Sequence, residues 1–179
     1  MMRWLLNSGF RRFARQNDYD TTYIQQVTDI WPGAGLRYLF LPALTRLTGP
    51  VPDIWAGAIL ASVLDGDCGS CAQLVCDDAV KMGVAPARLA ACLRRDFEAA
   101  GAVGLGFLFA EAAIEGAGDA EALRNEIAAT HGARAAIAAA YAAASGRVYP
   151  VLKRGLGHGA ACRRITLGGE DIAVVGSDA

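Results

Sequence analysis

The chain has 179 residues, enough for one hydrophobic core and too few to divide into two well-buried ones. Hydrophobic residues make up 54% and charged residues 20%, and much of the apolar excess is alanine over residues 85–144, a composition that favours closely packed helices and surface buried between subunits. A formal net charge of −1 lacks the concentrated basic footprint of a nucleic-acid surface and argues against that class of partner.

Glycine and proline punctuate a series of helical stretches, with no internal repeat, low-complexity linker or long charge run. Residues 3–16 predict a first helix that mixes Trp4, Leu5, Leu6, Phe10 and Phe13 with Arg3, Arg11, Arg12 and Arg15. It reads as an amphipathic arm docking on its own core or on a partner subunit. The alternative, contact with an anionic membrane surface, is disfavoured because Asn7-Ser8-Gly9 interrupts the apolar face. After the polar turn Asn17-Asp18-Tyr19-Asp20, Thr21 or Thr22 caps a second helix that stops at Pro32-Gly33. A third spans residues 34–48.

Residues 54–64 are nearly all apolar, which predicts a helix buried on most sides. Asp65-Gly66-Asp67 turns the chain, with carboxylates able to cap the next helix, residues 68–82, which closes on Gly83. Helices over residues 85–99, 104–115, 119–131 and 133–145 follow, and Tyr149-Pro150 opens a short one. Residues 163–167 and 171–175 flank Gly168-Gly169 as a small hairpin. The predicted class is all-α with a short C-terminal β-hairpin.

No segment reads as a membrane span: residues 54–64 are too few, and residues 103–114 contain Glu111. The first residues lack the apolar run and cleavage site of a signal peptide. Five cysteines without such a signal point to the cytoplasm, where a cysteine pair is more often catalytic or metal-bound than a staple.

Cys68-Gly69-Ser70-Cys71 is the chemical focus. Thiols at i and i+3 in a first helical turn share a face and lie close enough to form a disulfide. Free backbone N–H groups and the positive end of the helix dipole favour a thiolate there. Asp65 and Asp67 oppose it, unless they cap the helix or take protons. Two alternatives stand beside the redox reading: the cysteines are merely small buried residues, or they share a zinc ion with His158 and Cys162, which are spaced i and i+4. Cys76 and Cys92 read as core residues. Trp31 and Trp55 read as packing anchors, Lys153 and Arg154 beside Tyr149 as ordinary surface charges, and His131 and His158 as capping or surface histidines.

The run from Ala58 to Leu64, the Asp65-Gly66-Asp67 turn, the CxxC and the continuation to Gly83-Val84 resemble the signature helix pair of the carboxymuconolactone decarboxylase/alkylhydroperoxidase D-like superfamily. The resemblance covers residues 53–165, making residues 1–52 a helical extension and residues 166–179 a short tail of one structural domain. It implies an alkylhydroperoxidase D-like helical bundle and a homo-oligomer: trimer, dimer or hexamer. In the peroxidase branch the second cysteine attacks a hydroperoxide and the first resolves the sulfenic acid, roles that fall here on Cys71 and Cys68. No metal or organic cofactor is implied. The glutamate and histidine of that branch's proton relay correspond to Ala56 and Val75, so the relay is missing. Asp67 is the nearest titratable substitute, and Gln73 can hydrogen-bond but not carry a proton. The resulting expectation is a thiol–disulfide protein acting on a peroxide or a disulfide/thiol partner. Its alternative is a non-catalytic binding or assembly module, or a redox sensor, of the same fold.

Overall fold

The computed structural model describes residues 1–66, 68–158 and 164–173. Among these residues the chain is all-α with a two-stranded antiparallel hairpin at its C-terminal end. No described helix is long and apolar enough to cross a membrane.

Helix α5 (Pro52–Asp65) is the axis of the molecule. Pro52 opens it after the extended Val51, where a missing N–H costs nothing. Ile54 through Val63 are then buried on every face, as their unbroken apolar run predicts. Two helices sandwich it: α9 (Ala102–Glu115) and α11 (Ala133–Gly146). Small residues bring the backbones together. A Cβ on Gly57 would strike Val103 O and Phe107 N of α9, and one on Gly106 would strike Ile54 O. On the other side, the alanines of α11 allow the same approach, and Ser62 donates a buried hydrogen bond to Ala143 O at 2.6 Å. Each large side chain fully buried at these contacts, such as Leu60 or Ile54, contributes about 1.5–3 kcal/mol.

Helix α6 (Gly69–Lys81) leaves α5 through the Asp65–Gly66 turn and buries Cys71, Ala72, Cys76 and Ala79. Its half-buried Leu74, Val75 and Asp78 face a second layer, made by α1 (Met2–Asn17), α2 (Thr22–Ile30), α3 (Pro32–Tyr38) and α4 (Pro42–Thr45). That layer has its own core of Leu6, Phe10, Tyr19, Tyr23 and Ile24, against which Leu74 packs. The chain is completed by α7 (Pro86–Leu93), α8 (Phe97–Ala100), α10 (Ala120–His131) and α12 (Val148–Gly155). The hairpin joins β1 (Arg164–Leu167) to β2 (Glu170–Ala173), with Ile165 opposite Ile172 and both buried. Gly168 and Gly169 both have positive φ, as a two-residue hairpin turn requires.

Four details differ from the sequence expectation. The helix over residues 34–48 is two short ones, because Pro42 cannot continue the hydrogen-bond ladder of α3. The helix over residues 85–99 breaks at Arg95, which adopts φ +61°. Asp96 then caps α8 through a bond from Ala99 N. Arg95 is held there by a two-pronged ion pair with Glu111 at 2.7 and 2.9 Å and by the Phe97 ring. Asn7-Ser8-Gly9 does not break the inward face of α1, where Leu6, Asn7 and Phe10 are buried, while Trp4 and Leu5 stay exposed. Trp31 is exposed rather than packed.

Candidate functional site

Cys68 is the residue immediately before α6 and Cys71 lies in its first turn. A single helical turn therefore brings their Cα atoms to 5.3 Å, and the two sulfurs are joined as a disulfide. Both side chains are buried. The pair thus sits on the end of α6 where backbone N–H groups have no helical partner, the end that favours negative charge.

Each sulfur meets a polar group from a distant part of the chain. Lys153 on α12 points its ammonium at Cys68 Sγ, 3.8 Å away, and donates to Ser70 Oγ at 3.1 Å. The same ammonium lies over the Tyr19 and Tyr23 rings, 5.1 and 5.3 Å from their centroids. Burial lowers the Lys153 pKa, and the nearby Asp20 carboxylate opposes that fall. Asp20 is itself held anionic chiefly by Thr22, whose backbone N–H donates to it at 2.8 Å.

Cys71 Sγ instead faces the Tyr19 hydroxyl at 3.8 Å. A line of phenols runs on from there. The Tyr19 and Tyr23 oxygens are 3.5 Å apart, Tyr23 Oη bonds Tyr38 Oη, and Tyr38 packs edge-on against Tyr149. Burial raises the pKa of all four, so each remains a neutral phenol at physiological pH. Cys71 also forms part of the wall of a cavity of about 380 Å³ between α6 and the N-terminal layer.

Asp65, one of the carboxylates expected to cap α6 or to oppose a thiolate, turns to Arg147 at 2.8 Å, and α6 has no side-chain cap. Its charge is therefore offset. Asp67 lies outside the described residues, as does Cys162. Gln73 acts structurally. Its carbonyl accepts from Thr166 N at 2.8 Å and its amide donates to Thr166 O at 3.0 Å, which fastens β1 to α6 as an extra strand residue would. His158 pairs with Gln26 at 2.9 Å, and His131 closes α10. Cys76 and Cys92 are buried and free. Burial pushes the Cys76 thiol up to about 12 and the Cys92 thiol higher still, so both are inert at neutral pH. Ala56 is fully buried, while Val75 lies in the cavity wall.

The polar groups gathered around the pair that the sequence did not connect with it are Lys153, Tyr19, Tyr23, Tyr38 and Tyr149. Tyr19 is 52 and Lys153 is 85 residues from the sulfur it approaches. The available signals were faint: Tyr149 and Lys153 are one helical turn apart, and Tyr19 lies four residues before Tyr23. Reading Lys153 as an ordinary surface charge was an error, corrected by its half-buried place beside Cys68.

No protein family, no curated protein and no solved structure matches this chain.

Proposed function

We propose that this chain is a thiol–disulfide redox protein that reduces a hydroperoxide with the Cys68–Cys71 pair and is re-reduced by an external dithiol. The carrying observation is the placement of the joined sulfurs at the start of α6, with an ammonium against one and a phenol against the other. An opened pair holds two thiols and readily shares one proton. Lys153 and the helix end favour the anion on Cys68, which leaves the proton on Cys71, the sulfur that borders the cavity.

In this reading Cys71 Sγ attacks the distal peroxide oxygen as its proton passes to Cys68, and the O–O bond breaks. Cys71 becomes a sulfenic acid, and the alkoxide takes a proton from Tyr19. Cys68 then loses its proton to Tyr19, attacks Cys71 Sγ and closes the disulfide. The departing hydroxide takes a solvent proton and leaves as water. Two electrons move from the pair to the peroxide, giving one alcohol and one water. The external dithiol restores both thiols and leaves as its disulfide.

Cys68 and Tyr19 thus replace the missing glutamate and histidine of the alkylhydroperoxidase D-like pattern. A homo-oligomer belongs to the same proposal. It is supported by the exposed apolar side chains of Ile30, Trp31 and Phe40, and light scattering measures it directly. The test of the function is peroxide consumption with a dithiol as reductant. Wild type turns over, whereas Cys71→Ser and Cys68→Ser each lose turnover. A Cys71→Ser variant that consumes peroxide at the wild-type rate would sink the assignment.

A further inference from the structure

The cavity beside Cys71 has a chemistry of its own. Its walls come from α1, α2, α3, α4, α5, α6 and α12, and they are almost entirely apolar, with Phe10, Phe13, Ile24, Trp55, Ile59 and Leu74 among them. The only charged side chains in the wall, among the described residues, are Arg46 and Asp78, and they pair with each other. The polar groups present are largely engaged. Trp55 Nε1 donates to Thr45 O at 2.7 Å, Tyr38 Oη bonds Tyr23 Oη, and Tyr149 Oη lies 3.4 Å from Thr45 Oγ1. Protein interiors seldom leave spaces larger than a water molecule, and ligand sites occupy about 300–1,000 Å³. At about 380 Å³ this cavity falls in the second class.

A wall without net charge repels ions by desolvation and rewards apolar area removed from water. The Tyr149–Thr45 pair offers a partner to a single hydroxyl or carbonyl group away from the sulfurs, since 3.4 Å is a long contact that either oxygen can exchange for a better one. Gly9 lies at an exposed edge of the wall, as do Leu39 and Arg46, and a Cβ added to Gly9 meets no atom within 4 Å.

We propose that this cavity is a binding site for an uncharged, predominantly apolar small molecule with at most one hydroxyl or carbonyl group, held between the N-terminal helices and α6 with one end at Cys71. The site goes beyond the redox reading and does not rest on it, because the walls and their neutrality are independent of what the sulfurs do.

The experiment is a fluorescence titration of the intact chain with N-phenyl-1-naphthylamine, a neutral apolar probe, followed by displacement with 1-decanol or decanoate. Saturable one-to-one binding is expected, with decanol displacing the probe about tenfold better than decanoate. Gly9→Trp, which sets a large side chain at that edge of the wall while replacing a poor helix former, weakens the probe about tenfold or more. Gly9→Ala, which does not reach across, leaves it within about twofold. Leu74→Trp fills the cavity from the α6 side and gives the same loss, with circular dichroism confirming that each variant is folded. Peroxide turnover is measured on the same wild-type preparation, so failure of the redox chemistry and failure of this site are read separately. Non-saturable binding, equal displacement by decanoate, or undiminished affinity in both folded tryptophan variants would each overturn the proposal.

Discussion

Replacing Lys153 by glutamine removes a cation 3.8 Å from Cys68 Sγ while keeping a side chain of similar length. Two unit charges at that distance interact by about 4 kcal/mol at an effective dielectric of about 20. Lys153 is only half-buried, so solvent screening reduces the figure to about 1.5–3 kcal/mol. The sign follows from which state carries the charge. The ammonium stabilises the thiolate of the reduced pair and does little for the neutral disulfide, so it makes the pair more oxidising. Lys153→Gln therefore lowers the thiolate fraction of Cys68 about 10- to 100-fold at a pH below its titration. At a pH above it, the reduction potential falls by about 30–60 mV. Lys153→Arg keeps the charge and restores most of the effect. The assay is iodoacetamide alkylation of the reduced protein across pH, with the labelled cysteine identified by mass spectrometry. Cys68 is expected to be the first residue labelled in wild type, and to be slowed in Lys153→Gln. Preferential labelling of Cys71, or a Cys68 rate unchanged by loss of the ammonium, would refute the electrostatic argument.

Two further outcomes test the frame that holds this site. Gly57→Ala drives a methyl group into the α9 backbone at Val103 and Phe107 and is expected to cost about 1–3 kcal/mol or more, read as a lower urea midpoint with unchanged slope. An unchanged midpoint would contradict the close approach of α5 and α9. In the folded protein Cys76 and Cys92 resist alkylation until the pH approaches the Cys76 value of about 12, and both label at neutral pH once urea unfolds the chain. Site-resolved labelling of either in the folded state near neutrality would contradict their burial.

The helical class, the C-terminal hairpin and the position of the Cys68–Cys71 pair were legible in the sequence, because these are local properties. Unbroken apolar residues bury a helix such as α5. Gly168-Gly169 supplies the two positive φ values of a tight turn, and a CxxC at a helix start brings two sulfurs together within one turn. The break at Arg95 was less legible, since its left-handed backbone is fixed by Glu111 and Phe97 from other elements. The environment of the pair was not legible in the sequence. Lys153, Tyr19 and the cavity wall come from segments far from residue 71 in the chain, and no periodicity in one helix reports which distant side chain will face it. The same holds for Gln73, whose amide is fitted to Thr166 in a strand 93 residues away. The pair's existence was written in four consecutive residues, whereas the ammonium, the phenol and the cavity beside it depend on long-range packing.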